Sequence, residues 1–329
     1  MNFSFKKVLY VFCLILSFSI FFIRIDADTV KWKVWGQSPP DLKPIPFASK
    51  IIPANFSLHS CLSFSPDERT ILWAVLDRSS SGSIVFSRFN GEVLSKPEVL
   101  SFLEHHNYGN PFYSFDGRKI YFTSNQPLPG EKEAPYRRIW VVEKDDSNWS
   151  KPKPLKGKIH SIGVSSQISV SRCGNIYFAA YGPDNLGIDI YVSKLIKDAY
   201  MEPTRLQGEI NTEFVETDPF IDPEERFIIF SSSRKENYGP SDLYLSYKQS
   251  NEEWSDAIHL KNSINTKLYE RFPYITRDGK YLFFVRNDNP LQFRGSRKQF
   301  FWVNFDTTRM EVIPDNKIPE NKVVKRKKK

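Results

Sequence analysis

The chain has 329 residues, 15% of them aromatic and 40% hydrophobic, which is enough apolar material for a sizeable core and excludes wholesale disorder. Its formal net charge of +8 belongs to the ends. Nine of the 46 basic residues are Lys6, Lys7, Arg24, Lys322, Lys325, Arg326, Lys327, Lys328 and Lys329, so residues 25–320 carry 37 basic groups against 38 acidic ones. A near-neutral folded part excludes the basic face that a nucleic-acid binder needs.

Residues 8–23, VLYVFCLILSFSIFFI, form an apolar run behind Lys6 and Lys7. A basic flank followed by such a run is the pattern of an export signal. The run is a little short for a membrane span of ~20 residues, and Ile25-Asp26-Ala27 is a poor cleavage site. Residues 1–27 therefore read either as a removed signal peptide or as an uncleaved membrane anchor. Both send the remainder across the membrane and predict an extracytoplasmic protein, periplasmic, secreted or anchored. Residues 28–45 contain WGQSPPDLKPIP, whose prolines rule out a helix and predict an extended lead-in.

The folded part begins at residue 46. In GNPFYSFDGRKIYFTSN, residues 109–125, Asp116-Gly117 sits between apolar runs, a strong hairpin signal. The hairpin recurs at 61–75, 165–180, 216–232 and 270–285. Asp67, Asp116, Cys173, Glu224 and Asp278 are equivalent, at steps of 49, 57, 51 and 54 residues. The turn departs from Asp-Gly at Asp67-Glu68, Cys173-Gly174 and Glu224-Glu225, which leaves its type open there. Each hairpin is followed by a third strand (SIVFSRF, RIWVVEK, DIYVSKL, DLYLSYK, QFFWVNF), and four units add a short fourth. Four strands per unit at a period of about 50 residues is the signature of propeller blades. The fifth unit lacks a fourth strand, and residues 46–52 stand before the first unit as one strand too many. The reading is an all-β propeller of five four-stranded antiparallel blades over 46–313, its ring closed by the N-terminal strand. The basic end, 314–329, reads as a solvated tail, with attraction to an anionic membrane surface as the alternative.

Ser114, Asp116, Gly117, Arg118, Ile120, Tyr121, Phe122 and Ser124, together with Asp189, Ile190, Tyr191, Val192 and Ser193, resemble the WD-like propeller repeat of the TolB type. Asp278, Gly279, Lys280, Leu282, Phe283 and Phe284 match it again. The resemblance covers roughly residues 46–310 and implies the fold more sharply than the function. Related propellers serve as protein-binding platforms, as ligand-binding domains and as lids on peptidase domains. The sialidase Asp-box is not matched, because Gly117 directly follows Asp116 and the Thr-Trp pair is missing.

Strand polarity puts the loops entering the first strand and those leaving the second strand of each blade at one end of the ring. Polar groups converging there are the candidate ligand site: Asn110, Asn125, Gln167, Tyr181, Asp218, Arg234, Glu270, Arg271 and Arg286. His59, Asn107, Asn287 and Arg78 belong to the same loops. The alternative is a carbohydrate-active enzyme, glycosidase or lyase, with Asp218, Glu270, Glu216 and Asp77 as catalytic carboxylates ~5–9 Å apart. Against both stands a structural role, with carboxylates bonding neighbouring backbone and arginines pairing with the acids of the next blade. Trp149 and Trp254 recur at matching positions, which argues for blade packing. His105-His106 reads as solvated. Cys61 and Cys173 occupy different repeat positions and no CxxC is present, so no disulfide, metal site or cofactor is expected. The partner expected is a protein or a cell-envelope component, with no nucleic acid.

Overall fold

Apolar strands joined by a repeated tight turn stack into five antiparallel sheets, the blades of a β-propeller. The computed structural model describes residues 33–305 apart from 53–56, 59, 78–80, 101–105, 146–147, 183–186, 261–262, 290 and 292–296. The expectations for 1–27 and 314–329, and for His59, Arg78 and His105, lie outside the described residues. Among the described residues no helix is long and apolar enough to cross a membrane.

The inner strands of blades 1 to 5 are Ser63–Phe64, Tyr108–Tyr113, Ile168–Val170, Glu216–Ile221 and Glu270–Ile275. Ser57–Leu58 pairs with the far end of the blade 1 second strand, extending that inner edge. Second strands run Thr70–Leu76, Lys119–Ser124, Ile176–Tyr181, Phe227–Ser232 and Tyr281–Asn287. Third strands run Gly82–Arg88, Arg138–Asp145, Ile188–Ser193, Asp242–Tyr247 and Lys298–Asn304. Short outer strands complete blades 1 to 4, for example Ile258–His259 in blade 4.

The outer strand of blade 5 comes from the other end of the chain. Ile45–Pro46 pairs antiparallel with Lys298–Asn304, Ile45 opposite Trp302 and Pro46 opposite Phe301. The Phe47 amide continues the ladder to the Phe300 carbonyl at 2.8 Å. The strand is shorter than the 46–52 read from sequence. Ala48 takes φ of 48° and its carbonyl accepts from Ile51 and Ile52, so the chain turns away directly after Phe47. Trp35, Phe47, Phe283 and Trp302 interlock behind this seam with ring centroids 4.9–6.0 Å apart.

One repeat position in the second strands holds Trp73, Phe122, Ala179, Phe230 and Phe284, all fully buried. Burying each large ring stabilises the fold by roughly 1.5–3 kcal/mol. Trp149 packs against Tyr113 at 6.3 Å, and Trp254 packs against the cluster of blades 3 and 4.

The turn is the same in every blade. Glu68, Gly117, Gly174, Glu225 and Gly279 are equivalent, and all have positive φ, between 54° and 92°. The residue two before the acidic position carries a hydroxyl in four blades, and in three of them it donates to an aspartate: Ser65 to Asp67 at 2.6 Å, Ser114 to Asp116 at 2.6 Å and Thr276 to Asp278 at 2.7 Å. In blade 4, Asp222 takes the hydroxyl's place and accepts from the Glu224 and Arg226 amides. In blade 3, the Cys173 sulfur lies 3.2 Å from the Ser171 hydroxyl. The left-handed conformation strains any residue with a Cβ. Burial also pushes the Glu68 carboxyl above its usual range, with Asp278 adding to it. Glu68→Gly should therefore raise stability by about 1 kcal/mol, read as a higher urea midpoint. An unchanged or lower midpoint would show that the Glu68 side chain contributes more than its strain costs.

Candidate functional site

Proline shapes the inner strands. Asn110, Asp218 and Phe272 each precede a proline and have φ of 49°, 54° and 57°. Each marks a register shift, between Gly109 and Phe112, Thr217 and Phe220, and Arg271 and Tyr274. A bulge drops a ladder bond, and proline has no N–H to leave unpaired there. The same repeat position is Cys61 in blade 1 and Gln167 in blade 3.

These five residues form a buried layer around the axis. The Asn110 amide donates to the Ser166 carbonyl of the next blade at 3.0 Å. The Gln167 amide reaches the Pro273 carbonyl in blade 5 at 3.0 Å. The fully buried Asp218 carboxylate is clamped by Arg271, from Nε at 2.6 Å and from the terminal nitrogen at 3.1 Å. The Cys61 thiol is pushed far above its usual range by burial, with the Asp218 carboxylate adding to it. Asn110 Oδ1 and Gln167 Oε1 are buried without a hydrogen-bond partner among the described residues. Towards the turns, Tyr274 stands against Phe64, Phe112 and Phe220 at 5.4, 6.2 and 5.3 Å. The axis is packed with side chains at this level.

Glu216 and Glu270 begin the inner strands of blades 4 and 5, and both are fully buried. Each is held by a threonine four residues earlier. Thr212 donates its amide and hydroxyl to Glu216 at 2.9 and 2.8 Å, and Thr266 does the same for Glu270 at 3.0 and 2.7 Å. Arg286 donates to Glu270 at 2.7 Å, and Arg234 lies 3.7 Å from Glu216. Burial pushes the Glu270 carboxyl up, while Thr266 and Arg286 oppose the shift. Both arginines also bond carbonyls of the preceding linker: Arg234 with Glu209 and Ile210, Arg286 with Ile264. These pairs form within one blade, whereas the structural alternative read from the sequence had arginines pairing with the acids of the next; the Arg271 pair with Asp218 does cross between blades.

The structure thus brings together Asp218, Arg271 and Gln167, and separately Glu216 with Arg234 and Glu270 with Arg286. Every oxygen of Asp218, Glu216 and Glu270 accepts at least one hydrogen bond from within the chain. Asp77 is exposed and accepts from the Ser81 amide at 2.8 Å. Asn125 accepts from the Asn107 amide at 2.9 Å, as Asn287 does from Tyr269 at 3.1 Å, closing the ends of their hairpins. Asn107 and Asn125 also line a polar cleft of about 320 Å³ between blades 1 and 2, with Ser81, Ser83, His106 and Tyr108.

Two features escaped the sequence reading. Asn211 and Asn265 are buried, and each makes three backbone bonds, to residues 190 and 206 and to residues 243 and 260. Their signal was the repeated Ile-Asn-Thr at 210–212 and 264–266, with a glutamate four residues after each threonine. The second feature, of which the sequence reading held only Tyr181, is a set of exposed large apolar side chains on the same loop end: Tyr136, Tyr181, Val215, Tyr238 and Leu291, with Tyr181 55% and Tyr238 47% exposed. Four different blades or their linkers supply them.

No protein-family model matches the chain, and no curated protein matches it in sequence. Solved structures share its architecture. An endo-arabinase from Bacteroides thetaiotaomicron aligns at a TM-score of 0.50 and 14% identity, over 80% of this chain and 98% of that one. An α-L-arabinofuranosidase from Lactobacillus brevis aligns at 0.49 and 13% identity, over 76% and 91%. TolB, whose repeat the sequence resembles, is also among them. A TolB candidate from Agrobacterium tumefaciens aligns at 0.49 and 16% identity, over 76% and 78%. At such identities the likeness is one of fold, and the chain is a five-bladed β-propeller.

Proposed function

We propose that this propeller is an extracytoplasmic binding module that docks a protein partner on its loop end. The exposed tyrosines carry this reading. Tyr136, Tyr181 and Tyr238 present large, stiff, amphipathic surfaces on loops of one end of the ring. Tyrosines of this kind supply the anchors of protein interfaces at low entropic cost. The buried polar groups below them are the scaffold: Asp218, Glu216 and Glu270 are matched by Arg271, Arg234 and Arg286. With the axis packed by aromatic rings, an incoming segment meets a surface and not a bore. Passage across the membrane rests on the basic flank and apolar run of residues 6–23.

The test places a photo-crosslinking residue at 181 or 238 in the exported chain, in the cells that make it. A single protein partner captured at both positions is expected. Tyr181→Ala with Tyr238→Ala should weaken that partner's binding at least about tenfold, with the thermal midpoint unchanged because both side chains are exposed. Glycan cleavage by the purified protein, abolished by Asp218→Asn in a folded variant, would overturn the reading in favour of an enzyme.

A further inference from the structure

The other end of the axis, where the tight turns meet, holds a cavity of about 230 Å³. The residue before the acidic turn position is Pro66, Phe115, Arg172, Pro223 and Arg277 in blades 1 to 5. Three of these are drawn together. The Arg172 guanidinium lies 3.4 Å from the Phe115 ring centroid, and that of Arg277 lies 4.5 Å from the same ring. Two cations of different blades therefore share one aromatic ring at the cavity's edge.

Most of the charges around the cavity are paired directly, one with another. Arg172 pairs with Glu224, Arg226 with Asp222 at 2.7 Å, and Asp278 with Lys280 at 3.2 Å. Arg277 donates instead to two carbonyls, of Phe115 and of Ser114. Burial holds its guanidinium below the usual range, with Arg172 adding to the shift and Tyr274, Glu68 and Asp116 opposing it. It is a partly desolvated cation whose hydrogen-bond partners among the described residues are carbonyls. Buried Phe220, Phe227 and Phe305 supply apolar wall.

We propose that this cavity binds a carboxylate carried on a short apolar stem, held by Arg277 with Arg172 at its side. A guanidinium fork matches a carboxylate in shape and in charge, and Arg277 spends its hydrogen bonds among the described residues on carbonyls alone. The aromatic wall suits the methylenes of a glutamate side chain. Two sources offer this chemistry: an external protein or peptide, and this chain beyond Phe305, where Asp306 and Glu311 follow.

The test is ligand-observed NMR on the full chain with acetyl-Gly-Glu-Gly-amide, and with its glutamine counterpart as the matched control. The glutamate peptide should bind at least about tenfold more tightly than the control. Arg277→Gln should abolish that difference. Glu224→Gln should tighten binding about threefold by releasing Arg172, an outcome that a purely structural arginine cluster does not give. Glu224 lies at the exposed rim, so this readout stands even where Arg277→Gln fails to fold. The double variant Asp306→Asn with Glu311→Gln separates the sources. Tighter peptide binding identifies the chain's own carboxylates as competitors, and unchanged binding identifies an external one. Equal binding of the two peptides, or no binding to either the natural chain or the double variant, would overturn the proposal.

Discussion

Arg271→Leu should destabilise the propeller by about 3–5 kcal/mol, because it strands a buried carboxylate. Asp218 has no exposed surface, and the Arg271 fork at 2.6 and 3.1 Å is its only cationic partner among the described residues. The thiol of Cys61 beside it is held protonated by burial and carries no charge to help or hinder. Urea denaturation reads the loss directly, as a lower midpoint at unchanged slope. The pair should be strongly coupled. Asp218→Asn removes the charge while keeping a residue type that accepts positive φ, so Asp218→Asn with Arg271→Leu should recover most of the stability lost by Arg271→Leu alone. If the double variant is as unstable as the sum of the singles, the ion pair is not what holds blades 4 and 5 together.

Phe47→Ala should cost about 3–5 kcal/mol, the usual loss for a fully buried phenylalanine. Its effect should also be local. Phe47 sits where the N-terminal strand meets blade 5, packed on Trp35, Phe283 and Trp302. Among the described residues the seam is held by a few backbone bonds: the Ile45–Pro46 ladder, the Phe47 amide and the Asn304 amide on the Asp41 carbonyl. Hydrogen exchange should therefore accelerate first at the Phe47 amide, before the ladders of blades 2 to 4 respond. Equal acceleration in every blade would mean that the ring loosens as one body and the seam is no weaker than the rest.

The blade count and strand register were legible because they depend on local chemistry repeated five times. Asp116-Gly117 announces the turn, and spacing carries that register to Glu68 and Glu225, which adopt the same positive φ without glycine. The fate of the polar residues was not legible in the same way. Asp218 meets an arginine 53 residues away, one blade further on, and Gln167 meets a carbonyl 106 residues away. Spacing assigns such residues to the loop end but not to a depth. At three of the five positions that depth goes with the bulges before Pro111, Pro219 and Pro273, which place Asn110, Asp218 and Phe272 in the axis. The same pattern, Asn-Pro or Asp-Pro ahead of an aromatic residue, was present in the sequence, and its meaning depended on the bulge.

Closing blade 5 with the first strand sets an order of events. Ile45 leaves the ribosome about 250 residues before Trp302, its partner in the ladder. The extra loop-closure cost over a single ~50-residue blade is only about 1.5 kcal/mol, so the distance barely affects equilibrium. It affects timing far more, since pairing at such separation delays folding. Blades 1 to 4 can assemble while the chain is still growing, and the ring stays an open arc until Lys298–Asn304 arrives. A chain stopped short of Trp302 would present two unpaired edges, the form in which a propeller is most exposed to proteolysis and to pairing with its neighbours.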